Sequence, residues 1–463
     1  MKHLCRAIRL SLTVCLVSFA LAGCMLGPEY QRPQVDLPAT YKEGGKWKAA
    51  EPLDESPRGP WWTVFQDNEL DRLMEALNRQ NLSIEQAEAQ YRQSQALLMQ
   101  ARAGLMPTLA ASTSVTQGPL TPGANSSSQY FLGASASWEA DLWGGIRRTI
   151  EAGEAKEAAG AAQLAAVRLS SQAQMASAYL QLRVADLQLD QLQSSEDILR
   201  RTLEITRNQY NAGIVSQSNV ALAESQLKSA EAQRVQKMLD RVQLEHGIAV
   251  ALGLPPANLS LPPAKAVPSL PRVPAGLPSA LLERRPDIAA AERSMAGANA
   301  QIGVASASFF PNLTLTASGS YRGTSLADWI DVPHRIWSLG PQLAGVIFDG
   351  GLRRAQTDQA IAAYDASVAG YRQTVLSALL AVEDNLAAQY LLAQEAELQQ
   401  AAVAAAARAE KISLNQYQAG TVGYLTVLAA QNARILAENT LWTIRNSQYT
   451  GSVALISAIG GSW

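Results

Sequence analysis

Cysteine, histidine and long apolar runs are all scarce in this chain of 463 residues, and each scarcity closes off a class of protein. The three cysteines are Cys5, Cys15 and Cys24, all near the N-terminus, so a disulfide-stapled body is excluded and stability must come from packing and assembly. Of three histidines, His3 belongs to the N-terminal segment, His246 falls within a predicted helix and His334 near a strand start, which leaves no histidine-based metal cluster. No G-x-S-x-G elbow, P-loop or G-x-G-x-x-G occurs. Glu139, Asp141 and Asp349 read as strand-end polar residues and not as an acid/base pair, so no enzyme activity, no metal and no cofactor are expected. Net charge is only -2, and -5 once Lys2, Arg6 and Arg9 are removed, which is no footprint for nucleic acid. Past the N-terminus there is no apolar run long enough for a membrane helix, so a bilayer crossing would have to be a β-barrel.

The N-terminus reads as an export signal. Lys2, Arg6 and Arg9 precede an apolar run from Leu10 to about Leu21, too short to span, with the charge order of a secretory signal. It ends in Leu21-Ala22-Gly23-Cys24, which resembles the lipobox of bacterial lipoproteins, where the cysteine thiol is acylated and becomes the new N-terminus. The expected lipid on Cys24 would be the chain's one covalent addition, and Met25 in place of an aspartate favours the outer membrane. One lipidated residue assists anchoring and does not span.

What the chain does have is a long internal repeat. Ile84 to Pro107 is answered by Ile288 to Pro311, Leu132-Gly133 with Gly144-Gly145-Ile146-Arg147-Arg148 by Leu339-Gly340 with Gly350-Gly351-Leu352-Arg353-Arg354, and Asn208-Gln209-Tyr210-Asn211-Ala212-Gly213 by Asn415-Gln416-Tyr417-Gln418-Ala419-Gly420. The offset of about 204 to 207 residues is too long for a solenoid module, so each copy carries several elements. Within each copy a helix leads into a hairpin. Leu109, Ala111, Thr113 and Val115 alternate with hydroxyl residues from Thr108 to Thr116, Gly118–Ser128 reads as a loop, and the return runs from Gln129 to about Trp143. The second hairpin goes out over Asn312–Ala317 and returns over Trp337–Phe348. Gly144-Gly145 and Gly350-Gly351 read as strand-to-helix hinges, not phosphate cradles. Four proline-free stretches follow, Gly145–Ala212, Gln217–Leu252, Gly351–Ala419 and Tyr424 to about Ile459, each predicted as one long helix. Leu182, Ala185, Leu189, Leu192, Glu196, Leu199 and Leu203 form a coiled-coil-type seam with one polar interruption.

These segments give expected boundaries: signal peptide 1–23, lipidated tether 24–60, a first repeat 61–256 with hairpin 107–143 and helix pair 145–252, an equatorial linker 257–286, and a second repeat 287–463 with hairpin 311–349 and helix pair 351–459. Four strands cannot close on themselves, and open strand edges are untenable in lipid, so oligomerisation must supply the rest.

Trp61-Trp62-x-x-Phe65-x-Asp67, Leu282-Glu283-Arg284-Arg285-Pro286-Asp287-Ile288, Phe309-Phe310-Pro311-Asn312 and the two Tyr-x-Ala-Gly turns resemble the outer-membrane factor family of TolC-like efflux channels, in its NodT-type lipoprotein branch. The resemblance runs from Cys24 to the last helix. It implies an α+β membrane protein: a homotrimeric tube with a twelve-stranded β-barrel in outer-membrane lipid, a coiled-coil α-barrel across the periplasm and an equatorial collar near Trp61 and Pro255–Pro286. It also implies that the turns Gly213-Ile214-Val215 and Gly420-Thr421-Val422 are periplasmic tips that meet the hairpin of a periplasmic adaptor (membrane fusion) protein, itself joined to an inner-membrane transporter of RND or ABC type. The tips should also form the periplasmic gate, with Tyr417 as a latch and Asn219 as its neutral partner. Thr426 and Ala429 stand where relatives often carry aspartates, so an acidic gate ring is not expected. The function implied is a passive exit channel for small molecules such as drugs in an RND-type tripartite pump. A duct for type I protein secretion or ABC-type export is the second reading, and a non-conducting trimeric coiled-coil scaffold the third. An adaptor and proton-driven transporter encoded nearby would favour the first.

Overall fold

The computed structural model describes residues 25–33, 40–41, 44–46, 59–119, 126–271, 285–325, 327 and 330–461. The expected signal peptide and Cys24 lie outside them, as do Leu282, Glu283 and Arg284. The strands are β1 (Thr40–Tyr41), β2 (Gly44–Lys46), β3 (Thr108–Pro119), β4 (Ser126–Ala140), β5 (Asn312–Gly323) and β6 (Arg335–Ala344). The α-helices are α1 (Asn68–Gln80), α2 (Leu82–Ala103), α3 (Gly145–Asn211), α4 (Gln217–Ala251), α5 (Pro286–Ala307), α6 (Leu352–Gln418) and α7 (Tyr424–Ala458). Helices α3 and α6 have 67 residues each and α4 and α7 have 35 each, so the repeat is reproduced in element length. At 1.5 Å per residue the longer helices extend about 100 Å. Residues cluster into two compact units, 1–35 with 90–161 and 290–373, and 36–89 with 162–289 and 374–463; each draws on both repeats.

In the first unit β3-β4-β5-β6 form an antiparallel sheet in chain order, and β3 and β6 are its edges, unpaired among the described residues. Register sorts the faces. Val115 pairs with Tyr130, Leu109 with Ala136, Leu132 with Tyr321, Trp138 with Leu315, Gly319 with Trp337 and Leu313 with Leu343. Because side chains alternate along a strand, these residues share one apolar face. The opposite face carries Ser112, Ser114, Ser135, Ser137, Thr316, Ser318, Ser338 and Gln342, again as cross-strand neighbours. Leu109, Trp337 and Leu339 are 81%, 70% and 75% exposed, so none of the described residues covers them.

Both return strands end earlier than the sequence suggests, at Ala140 and Ala344. Asp141 leaves the sheet to cap α3, accepting hydrogen bonds from the Ile146 and Arg147 N–H groups at 3.0 and 2.9 Å and pairing with the Arg147 guanidinium. Asp349 does the same before α6, accepting from the Gly351 N–H at 2.9 Å and pairing with Arg353. These carboxylates satisfy orphan helix N–H groups and the positive helix end, which is why each glycine pair is followed by arginine.

Residues 25–33 are fastened along this unit. The Arg148 side chain, fully buried, donates from Nε to Leu26 O at 2.9 Å and pairs with Glu29 at 2.9 Å and Glu151 at 2.7 Å. Asn299 donates to Pro28 O at 3.0 Å, the Tyr30 hydroxyl to Glu292 at 2.6 Å, and Arg32 to the Tyr371 hydroxyl at 3.2 Å. Met25 lies against Gly144, where a Cβ would come within 2.9 Å of its Cα. Only glycine, at φ +76°, fits there.

In the second unit the Trp61-Trp62-x-x-Phe65 string is a 3-10 turn whose three rings are buried with Leu70, Leu73, Met74, Leu77, Tyr179 and Leu180. Asp67 caps α1, accepting from the Glu69 and Leu70 N–H groups at 2.9 Å each, and takes the Tyr179 hydroxyl at 2.8 Å. The motif is therefore a packing motif. Pro286 opens α5, where its missing N–H costs nothing, while Arg285 pairs with Asp287 at 2.6 Å and donates to Ala458 O at the end of α7 at 2.9 Å.

The α3 seam is buried at Leu182, Ala185, Leu192, Leu199 and Leu203, and its polar interruption Glu196 is buried with partners, Arg200 and Arg234. After α4 the irregular segment Leu261–Ala264 is held by charge. Asp186, with its side chain fully buried, pairs with Arg241 at 2.7 Å and Arg183 at 3.1 Å and accepts from the Ala264 N–H at 3.0 Å. Arg241 donates to Leu261 O at 2.6 Å and Arg183 to Pro262 O at 2.8 Å. Helix α6 also contains one 18-residue window of mean hydropathy 1.2, apolar enough by length and composition to cross a membrane, which corrects the expectation of none. The whole helix is about three times the length a crossing takes.

Candidate functional site

The two helical turns are built alike. After α3, Ala212 N–H donates to Asn208 O at 3.0 Å, Gly213 N–H to Tyr210 O at 2.9 Å and Ile214 N–H to Gln209 O at 2.9 Å; after α6, Ala419, Gly420 and Thr421 donate to Asn415, Tyr417 and Gln416, all at 3.0 Å. This pattern closes orphan carbonyls at a helix end and needs a left-handed residue. Gly213 at φ +74° and Gly420 at φ +72° supply it. Ser216 and Gly423 then open α4 and α7 in extended conformation. Gly213, Ile214, Gly420 and Thr421 are exposed, with Ile214 68% exposed, and Val215 and Val422 are half-buried.

Beneath the turns lies a small core of Leu199, Leu203, Ala223, Leu227, Tyr417, Tyr424 and Val427. Tyr417 is 2% exposed and stacks obliquely on Tyr424, with ring centroids 5.8 Å apart. Its hydroxyl donates to Thr206 Oγ1 at 3.3 Å and not to Asn219, which stands half-buried at the start of α4. The reason is directional: Tyr417 precedes its turn and its ring packs inward onto α3, where Thr206 is fully buried. Thr206 in turn donates to Thr202 O at 2.8 Å, and Gln431 Nε2 to Thr202 Oγ1 at 3.1 Å. The result is a buried neutral polar seam joining α3, α6 and α7. Thr426 and Ala429 are exposed on the first turns of α7, apart from this seam.

The seam is incompletely satisfied: Tyr424 Oη, Gln431 Oε1 and Gln209 Oε1 are buried without hydrogen-bond partners. Burial, and next the neighbouring Tyr417, push the Tyr424 hydroxyl up from 10.0 to about 12. Tyr424→Phe removes an unpaired buried hydroxyl and is expected to be neutral or to stabilise by about 1–3 kcal/mol. The raised value holds Tyr424 protonated in the fold, so its contribution is complete below pH 10 and is lost as pH rises toward 12. The phenylalanine variant should lack that part of the alkaline loss. Thermal melts of both proteins at pH 8 and 11 check this, and a destabilised variant at pH 8 would refute it.

An amphipathic four-stranded sheet with free edges, continued by paired long helices that reverse in twin turns, defines a membrane export component. The chain belongs to the outer membrane efflux protein family, whose model matches residues 73–254 and 277–461. It is an outer-membrane efflux channel, and the resemblance read from its motifs holds. It is 33% identical over 470 residues to the pyoverdine export outer membrane protein OpmQ of Pseudomonas aeruginosa, covering 96% of each chain. It is 29% identical over 465 residues to the toluene efflux pump outer membrane protein TtgF of Pseudomonas putida, again covering 96% of each. Its fold is similar to that of the outer-membrane channel OprN, with a TM-score of 0.86 and 29% identity over 95% of this chain and 100% of that one.

Proposed function

We propose that this channel is the exit duct of an RND-type tripartite efflux system, formed as a homotrimer with a twelve-stranded barrel, and that it conducts small molecules passively. The observation that carries the reading is the register-sorted sheet, with one face apolar and bare, the other lined by hydroxyls, and edges β3 and β6 both unpaired. Copies of the same sheet joined edge to edge would satisfy the free backbone groups and turn the apolar face to lipid. The repeat boundaries 61–256 and 287–463 then describe the two helix-hairpin-helix modules that each copy contributes.

At the turns that follow α3 and α6, the exposed Ile214 and Leu425 beside Gly213, Val215, Gly420, Thr421 and Val422 offer a periplasmic adaptor an apolar surface. Tyr417, through the core beneath them, holds the gate, with Asn219, Thr426 and Ala429 around it. Lipid on Cys24 agrees with Met25 lying against Gly144 at the junction of β4 and α3, at the strand ends of the sheet. Relatives named for pyoverdine and for toluene lie at comparable identity, which favours cargo chosen upstream by the inner-membrane pump.

Single-channel recording of the purified acylated protein in planar bilayers, with oligomer mass measured in the same detergent, tests this. A trimer with small, mostly closed currents is expected. A monomer, or a trimer silent even after tip substitutions, would overturn it in favour of a scaffold.

A further inference from the structure

Charged residues make up 17% of the chain, yet none occurs from Asn208 to Ala223 or from Ile412 to Ala433, the segments that form both turns and the helix ends around them. Amide and hydroxyl side chains take their place, among them Asn211, Ser218, Gln416 and Thr421. The nearest charges are largely paired: Arg207 with Glu224 at 3.7 Å, and Arg434 with Glu410 at 2.7 Å and Glu438 at 2.9 Å. Arg207 stands six residues before Gly213, about 9 Å along the helix, so even it is about a Debye length from the turn at physiological salt. The helix dipoles cancel as well, since each turn sets the negative end of one helix beside the positive end of the next.

We propose that the inner mouth of this duct is electrically neutral and passes small ions without regard to sign, and that Thr426 and Ala429 are the positions whose side chains set this neutrality. The inference rests on the turns being the inner aperture. Thr426 and Ala429 are exposed on α7 within two turns of Gly423. The titratable groups of the belt itself are Tyr210, Tyr417 and Tyr424. The charged groups on the flanking turns of the packed helices are Glu204, Arg207, Glu224, Lys228, Glu231, Arg408, Glu410, Lys411 and Arg434, with no histidine among them, the side chain whose charge ordinarily changes between pH 5 and 8. The mouth should therefore behave identically across that range. The hydroxyl-rich face of the sheet carries Glu139 and Arg322, one charge of each sign, and adds no strong preference.

The test is the zero-current potential of the full-length protein in planar bilayers under a tenfold KCl gradient, for wild type, the neutral control T426N and the double variant T426D/A429D. Wild type and T426N are expected to show a potassium-to-chloride permeability ratio within about twofold of one, unchanged between pH 5 and 8. The double variant should gain at least about fivefold toward potassium at pH 8, because close unit charges interact by more than thermal energy even in water. It should lose the gain below the carboxylate range. A wild type already several-fold selective, which the double variant only strengthens, overturns the neutral mouth while keeping the aperture at the turns. A double variant unchanged in both selectivity and conductance overturns the aperture reading itself.

Discussion

Replacing Asp186 with alanine is expected to destabilise the folded chain by about 3–5 kcal/mol, the cost of removing one partner from a buried ion pair. The carboxylate is fully buried between Arg241 and Arg183, and both guanidiniums also hold backbone carbonyls of the segment after α4. That segment, Leu261-Pro262-Pro263-Ala264, cannot join a helix or sheet ladder through its prolines, so its polar backbone groups depend on side chains. Without Asp186, Arg183 and Arg241 become under-compensated buried charges, and the Ala264 N–H loses its acceptor. The segment should come free of α3 and α4 before the helices themselves melt. Denaturation followed by circular dichroism, with limited proteolysis mapped across residues 259–271, checks both parts. A loss below about 1 kcal/mol, with no new cleavage there, would mean that water already shares the site and the pairs are weak. Replacing Asp186, Arg183 and Arg241 together with apolar residues of similar size, and Glu245, which pairs with Arg241 at 2.9 Å, with glutamine, should recover much of the loss, since no charge is then left stranded.

The second large effect belongs to Tyr417. Its ring is at the centre of the small core beneath both turns, and truncation to alanine removes a buried aromatic, worth about 3–5 kcal/mol of local packing. Because that core is the main apolar contact holding the turn after α6 to α3, the loss should appear as loosened tips. Single-channel conductance, or the open fraction, is expected to rise several-fold. Tyr417→Phe keeps the ring and loses only the 3.3 Å bond to Thr206, a neutral hydrogen bond worth about 0.5–1.5 kcal/mol. Its conductance should stay close to wild type. The pair separates two kinds of latch: if phenylalanine opens the channel as far as alanine, the hydroxyl is the latch. If neither variant changes conductance, the tips do not govern it.

Much of this architecture is legible before any coordinates. The repeat at an offset of about 204 to 207 residues, the absence of proline from four long stretches and the glycine in each turn determine four helices whose observed ends lie within a residue of those read from sequence. These are local properties: a helix needs only unbroken backbone donors and a stop, and both are written in consecutive residues. The strands were visible through alternation, but their far ends were not. By sequence Asp141 and Asp349 read as strand-end residues, whereas each accepts from N–H groups at the start of the following helix. An aspartate just upstream of Gly-Gly-x-Arg in both copies, three residues before the pair in the first and one before it in the second, is the signal that marks a cap.

Three features depend on the folded chain alone. Arg148 looks like one more basic residue of a repeat motif, yet it is fully buried and clasps residues about 120 positions earlier. Asp186 is one acid among many on a long helix until the segment at 261–264 folds back over it. Tyr417 chooses Thr206, distant by 211 positions, over Asn219 because packing direction, not sequence nearness, aims its hydroxyl. Sequence by itself determined which stretches are helix, strand and turn, because periodicity and backbone propensity act over a few residues. Tertiary structure decided which charges are buried, which face of the sheet is apolar across four strands and what Tyr417 touches, because each of those depends on register and on contacts between segments that the chain order keeps far apart.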